Sequence, residues 1–392
     1  LDDFGQRIRD IILSEMDLSR ELSDEEICDL IGSVVSREAR DRPMTIKDRA
    51  ELERTIFNSL RKLDVLQELV DDRDVTEIMV NGPNDIFYEK AGRIQRFKGH
   101  FSSEEKLEDV IQQIVGRHNR VVNQASPIVD TRLSDGSRVN IVLNPISIDG
   151  SAVSIRKFPE HPMSMERLVE IEALSPEVAR LLQILTQAKY NIFISGGTGS
   201  GKTTFLNALS QYIPDDERII TIEDSAELQL LGAKNIVRLE TRNANTDGVT
   251  PITIRDLIRT ALRMRPDRII VGECRGAEAL DMLQAMNTGH DGSLSTGHAN
   301  SPHDIISRIE TMVLQGQDFP LNAIRQQIAS GIDIIVQLGR LRDKSRRVLE
   351  VSEVDGFMDG EIVLHTLYRF EETGVLDSGR IQGFLKKAGT LC

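Results

Sequence analysis

The sequence predicts an α/β fold in its C-terminal half, preceded by a smaller α+β segment and a helical N-terminal stretch. Three observations carry this. From Asn191 to Leu209 a short apolar run, Ile192 to Ile194, passes through Gly196, Gly197, Gly199 and Gly201 into a helix-compatible run. That is strand, glycine loop, helix. Beyond it, strand-like and helix-like stretches alternate as far as Leu338, the pattern of a parallel sheet. Ahead of it, residues 67–157 combine a hairpin signal with a single amphipathic helix, and residues 1–66 carry only helical spacing.

Composition bounds the rest. The 392 residues favour two or three domains, and 40% apolar content is ample for their cores. No apolar run approaches the roughly 18 residues of a membrane span. Leu1-Asp-Asp-Phe does not read as a signal peptide, although the chain opens without Met and a leader ahead of it stays open. Cys28, Cys274 and Cys392 lie far apart with no C-x-x-C pair, which points to a reducing compartment and away from a four-cysteine zinc site. A net charge of −14 argues against a broad nucleic-acid footprint, though not against a local basic channel.

The elements follow in order. Ser23-Asp-Glu-Glu26 is a capping box ahead of Ile27, Leu30, Ile31, Val34 and Val35. Arg42-Pro43 breaks the pattern. Thr45 caps a second helix with Leu52, Ile56, Leu60 and Leu63 on its apolar face. Thr76 to Val80 is a strand, and Asp85–Glu89 and Arg93–Phe97 form a hairpin through Gly92. Ser102 to Glu105 is read as another capping box, before Leu107, Val110, Ile111, Ile114 and Val115. Strands at Arg138–Leu143 and Ser151–Arg156 complete the small segment, which carries Arg132, Arg138 and Arg156. Lys157 to Pro162 holds two prolines and no periodicity, so a linker is expected over 158–165.

Ser175-Pro176 then starts a helix burying Val178, Leu181, Leu182 and Leu185. After the glycine loop come strands at 218–223, 235–240, 268–273, 293–298 and 333–338. Helices are expected at 252–264, 276–286 and from Ser301-Pro302 to Val313. Val348–Val354 and Glu361–Phe370 close the chain as an antiparallel pair around Asp359-Gly360, and the tail after Glu371 gives no signal.

The chemistry begins at the glycine loop. Gly196 and Gly201-Lys202-Thr203 meet the spacing G-x-x-x-x-G-K-[ST]. Glycines let backbone N–H groups converge on an anion, and the following helix points its positive end there. Gly197, Thr198, Gly199, Ser200, Gly201, Lys202, Thr203 and Thr204 are therefore the expected nucleotide-binding residues, for ATP or GTP. Lys202 would reach the β- and γ-phosphates, and the Thr203 hydroxyl a Mg²⁺ ion. The alternative is a glycine-rich turn with an incidental lysine, which the strand-to-helix context disfavours.

Such a loop needs carboxylates for water and magnesium, and two strands end in acids: Glu223-Asp224 and Glu273. Carboxylates there could instead cap a following loop, but the loop's need favours catalysis. His298 follows a third strand and could bond a γ-phosphate, although a lone histidine is more often structural. His290 and His303 stand eight and five residues from it, no helical ligand pair, so no metal site is expected among them. Arg138 and Arg156 could stabilise a transferring phosphoryl group, or be solvated strand arginines in ion pairs.

Together these stretches resemble the ATPases of type II and type IV secretion and type IV pili, and most closely the CpaF-type branch that assembles tight-adherence (Flp) pili. The resemblance rests on the loop at 196–203, Thr221 to Leu228, Ala261 to Gly276 with its Arg-Pro-Asp, and Ser295 to Asn300. Val75–Gly82, Asp135–Asn140 and Ser154–Lys157 add to it, so it covers about residues 67–370. It implies a helical bundle (1–66), an α+β, PAS-like domain (67–157), a linker (158–165) and a RecA-like P-loop ATPase domain (166–392).

It further implies a cytoplasmic homohexamer on the inner face of the inner membrane. That ring would hydrolyse ATP with Mg²⁺ to drive a membrane platform protein and so extrude pilin, with no nucleic acid involved. Glu223 would activate water and Glu273 would take the Walker B role with Mg²⁺. His298 would sense the γ-phosphate, and Arg138 and Arg156 would be arginine fingers. Cys274 after Glu273 and Gly297 before His298 depart from the usual pattern, and the four-cysteine element of many type II members is missing. A retraction motor, a type IV secretion ATPase, a RecA-like nucleic-acid translocase and a non-hydrolysing nucleotide-binding scaffold are the competing readings.

Overall fold

The structure is a computed structural model and describes residues 3–16, 20, 22–41, 44–117, 121–158, 162–230, 232–242 and 250–391. The chain divides into two compact units, Leu1–Glu160 and His161–Cys392.

The first unit holds two separate cores. Helices α1 (Asp3–Glu15), α2 (Asp24–Glu38) and α3 (Ile46–Arg61) bury Ile8, Ile12, Ile27, Ile31, Val34, Val35 and Ile56 among themselves. Ser23 and Thr45 both close reciprocal capping boxes at the helix starts. Leu63 lies beyond the end of α3 and belongs to the second core, with α4 (Leu66–Asp71). The helix α1 has a buried seam at Ile8 and Ile12, four residues apart, which the sequence reading did not single out.

The second core lies under a six-stranded sheet. Its strands are β1 (Val75–Asn81), β2 (Ile86–Lys90), β3 (Arg93–Arg96), β4 (Ile128–Arg132), β5 (Arg138–Val142) and β6 (Ala152–Arg156), in the order β3-β2-β1-β6-β5-β4. Helix α5 (Glu104–Gly116) packs on the face carrying Ile78, Val80, Val139, Ile141, Val153 and Ile155. Its N-cap is Ser103 rather than Ser102, accepting from the Lys106 backbone N–H. The shift puts Lys106, not Glu105, three residues past the cap, so the expected capping box does not form there. Strand β4 was not expected, because Ile128 is exposed and Thr131 buried, against the apolar-inside alternation.

The second unit is a nine-stranded sheet in three layers. Its strands are β7 (Ile192–Gly196), β8 (Arg218–Glu223), β9 (Asn235–Glu240), β10 (Arg268–Val271), β11 (Leu294–Gly297), β12 (Ile334–Arg340), β13 (Arg346–Met358), β14 (Glu361–Val375) and β15 (Ile381–Lys387). The order is β15-β14-β13-β12-β7-β11-β10-β8-β9. The six strands from β12 to β9 run parallel, and β13 to β15 are antiparallel.

Alternate residues of the parallel strands enter opposite cores. Ile192 and Ile194 face α6 (Met165–Glu170), α7 (Pro176–Gln187) and α8 (Lys202–Ser210). Phe193, Ile222 and Ile335 face α9 (Ile254–Ala261), α10 (Glu278–Met286), α11 (Pro302–Gly316) and α12 (Leu321–Gly331). Several details differ from the sequence reading. Met165 already opens a helix, and residues 159–161 of the expected linker lie outside the described residues. Helix α9 is shorter than 252–264, because Ile252 exchanges backbone hydrogen bonds with Arg242. Leu181 is half-buried on α7. Helix α12 is extra, anchored by Ile324 and Ile328, and the tail forms β15 after a turn at Gly379.

Candidate active site

Strand β11 lies between β7 and β10, and this brings the carboxyl ends of β7, β8, β10 and β11 together. The glycine loop leaves β7 and turns into α8, whose cap residue Gly201 is left-handed with φ 95° and offers no side-chain cap. The first N–H groups of that nine-residue helix are thus left to bind an anion. Gly196 is required by close approach: a Cβ there would lie 2.5 Å from Ser200 Oγ and 2.8 Å from the Leu338 carbonyl oxygen. Lys202 is buried, and its Nζ donates to the Gly196 and Gly197 carbonyls at 3.1 and 3.2 Å. Burial lowers its pKa, while Glu273 opposes that shift. Ser200 is buried, Gly197 and Thr203 are half-buried, and Thr198, Gly199 and Thr204 are exposed.

Glu223 is buried at the end of β8. Its Oε1 accepts from the backbone N–H groups of Glu227 and Leu228 at 2.8 and 3.0 Å. That oxygen caps the following loop, the ordinary use left open by the sequence. The side chain packs on Gly272, where an added Cβ would be 2.8 Å from Glu223 Cγ.

Glu273 sits two residues past β10 between two partners. Arg275 Nε donates to its Oε2 at 2.7 Å, and His298 Nδ1 is in close contact with its Oε1. Burial lowers the His298 pKa below 6.5; Glu273 opposes this, and Lys202, Arg275 and Arg308 reinforce it. The strand ends are cross-tied: Thr296 Oγ1 donates to the Gly272 carbonyl and Cys274 N–H to the Thr296 carbonyl, both at 2.8 Å. Lys202, Glu273 and His298 thus form one electrostatic group, and Glu223 packs on the residue preceding Glu273.

Sequence reasoning missed Arg275, Gln337 and Arg346. Arg275 also reaches Asp224 at 3.6 Å, and its backbone N–H and that of Gly276 donate to Glu278 Oε1 at 2.7 and 2.9 Å. The signal was an arginine two residues after the strand-end acid. Gln337 is buried beside Ser195 in the register of β12 and β7, and its Nε2 donates to the Ala299 carbonyl at 3.2 Å. Only topology places these together.

Arg138 and Arg156 lie in the first unit. Register aligns Arg132, Arg138, Arg156 and Glu77 across β4, β5, β6 and β1, on the sheet face opposite the core. His290 Nδ1 lies 3.3 Å from the Ala285 carbonyl, and His303 is exposed. For Mg²⁺ the oxygen donors present are the half-buried Thr203 hydroxyl and the Glu273 carboxylate, hard ligands that suit the ion alongside phosphate oxygens.

Comparison with known proteins places this site in context. Residues 59–375 match the family model described as "Type II/IV secretion system protein". The conjugal transfer protein TrbB of Rhizobium radiobacter is 31% identical over 83% of this chain and 98% of its own. The type IV secretion system protein PtlH of Bordetella pertussis is 33% identical over 75% of this chain and 94% of its own. The crystal structure of the pilus retraction motor PilT with bound ADP superposes with a TM-score of 0.56 at 23% identity, covering 78% of this chain and 81% of that one. That likeness supports a RecA-like fold for the nine-stranded unit.

Proposed function

Since this chain belongs to the type II/IV secretion system protein family and is an ATP hydrolase, we propose that it is a hexameric motor for assembling tight-adherence (Flp) type IV pili. The observation that carries the catalytic half is the grouping of Lys202, Glu273 and His298 at adjoining strand ends.

In this reading the backbone from Gly197 to Thr204 and the Lys202 ammonium hold the phosphates of ATP. Thr203 and Glu273 would hold Mg²⁺, which would supply positive charge to offset that of the phosphates. Glu223 orients the attacking water, and His298, neutral near pH 7, reads the γ-phosphate from beside Glu273. Arg138 and Arg156 act as the arginine fingers, on the strength of the arginine row on the sheet face opposite the core of that unit. The domains divide at 66, 157 and 165, with 158–165 as the hinge. Six copies, an inner-membrane platform protein and, through it, pilin complete the machine. Its place is the cytoplasmic face of the inner membrane; among the described residues no helix is long and apolar enough to cross it.

A type IV secretion ATPase is the second reading, favoured by the name of the relative PtlH. Finding neighbouring genes for a pilin and a platform membrane protein would decide for pilus assembly. The biochemical test is ATPase activity alongside mass in solution, with Glu223→Gln as the diagnostic variant. Retained ATP binding with turnover reduced at least a hundredfold supports the assignment. Wild-type turnover in that variant would remove Glu223 from the mechanism.

A further inference from the structure

We propose that Arg346 is a clamp on the α/β-diphosphate of the bound nucleotide, held in place by the C-terminal strand β15. This rests on the ATP-binding reading of the same loop. Arg346 opens β13, just after the tight turn at Leu341–Ser345. Its Nε donates to the Gly199 carbonyl at 2.8 Å, and its Cδ lies 3.4 Å from where a Gly201 Cβ would stand. The guanidinium is therefore tied to the tip of the phosphate loop by one nitrogen. Its two terminal nitrogens have no hydrogen-bond partner among the described residues, and the side chain is exposed. A planar fork fixed at Nε and open at both ends suits two oxygens of a phosphate chain. Lys202, at the start of the helix, serves the β- and γ-phosphates. The loop tip beside Gly199 and Gly201 is on the diphosphate side, so the clamp grips what ATP and ADP share.

The turn that presents Arg346 is anchored by residues in the tail. Asp343 Oδ1 accepts from the Ser345 N–H and hydroxyl at 2.9 and 2.6 Å, and its Oδ2 accepts from the Ile381 N–H at 2.7 Å. The neighbouring Arg347 is buried, donates to the Ile381 carbonyl at 2.9 Å and lies 5.5 Å from the centre of the Phe370 ring. Arg342 forks onto Glu372 of β14. The antiparallel extension thus has a task at the site: it sets where the fork points.

The test uses the full chain and measures KM for ATP, kcat, Kd for ADP and the melting temperature. Arg346→Ala is expected to raise KM for ATP and Kd for ADP together by about tenfold, the size of one charge-assisted hydrogen bond, with kcat within twofold. Arg346→Lys keeps the charge without the fork and should recover part of the loss. Asp343→Asn should weaken ADP binding in the same direction, and combining it with Arg346→Ala should add less than the sum. Unchanged ADP affinity in both Arg346 variants overturns the clamp, as does a fall in kcat with ADP affinity intact. If Arg346→Ala does not fold, the lysine and Asp343 variants decide. Failure of the wild-type chain to bind ADP would instead overturn the nucleotide reading itself.

Discussion

Gly272 has no side chain because Glu223 fills the space where one would stand. Gly272→Ala should therefore displace the Glu223 carboxylate while leaving the sheet intact. We expect turnover to fall at least tenfold with the melting temperature within a few degrees, measured by ATPase rate and calorimetry. His298 gives a pH prediction. Its folded pKa lies below 6.5, so the imidazole is neutral from pH 6.5 upward and protonates only on the acid side. A His298-dependent loss of turnover should appear below pH 6.5, and His298→Gln should remove that limb; an unchanged acid limb in the variant would exclude the histidine as its source. The strand-end acids were legible because each closes an apolar run, and the histidine because it follows a third expected strand within Ser295 to Asn300. Arg275 carried a signal only in its spacing from Glu273, and Gln337 and Arg346 carried none: no local pattern distinguishes these two from ordinary polar residues, and only the crossing of strands brings them to the loop.

At the scale of elements, β10 is held by a buried ion pair. Arg268 is fully buried and forks onto Glu217, with further bonds to the Thr186 carbonyl at 2.7 Å and the Gly292 carbonyl at 3.2 Å. Removing one partner leaves an uncompensated buried charge, so Glu217→Ala should cost about 3–5 kcal/mol in denaturant unfolding of this unit. Asp343 belongs to this scale too. The Ser345 hydroxyl and the Ile381 N–H stabilise its carboxylate and pull its pKa from 3.8 to about 2. A depressed acid stabilises the fold above its unfolded pKa and loses that contribution as pH falls through the folded value. The stability gap between wild type and Asp343→Asn should therefore be full at pH 7 and close between pH about 4 and about 2; a gap unchanged at pH 2 would refute it. Several elements that announce themselves by caps or turns were legible: Ser23, Thr45, Ser175 and Ser301 all cap helices, and Asp359-Gly360 makes its hairpin with both φ positive, whereas the caps Ser103, Ser164 and Thr253 were not identified. Helix α12 has no side-chain cap, and β15 follows a bulge near Glu372 with exposed residues on one face, so neither carried such a mark.

For the whole molecule, net charge sets the expectation. At −14 the chain should not be driven by DNA, and single-stranded or duplex DNA at low salt is expected to leave ATPase turnover unchanged; salt-sensitive stimulation would favour a translocase. Against that acidic background the row Arg132, Arg138 and Arg156 is a local concentration of positive charge. If it serves the reaction, Arg138→Ala or Arg156→Ala should reduce turnover at least tenfold while the mass in solution stays that of the wild type, and wild-type rates in both would return the row to ordinary surface charge. The edge of the large sheet has one more consequence. Strand β15 is the last in line, and its end carries two exposed lysines, Lys386, paired with Glu371 of β14 at 2.8 Å, and Lys387. Charged edges deter strand-to-strand stacking between molecules. A chain cut after Val375 would present β14 as a bare edge fifteen residues long, without those guards, and its first failing should be insolubility.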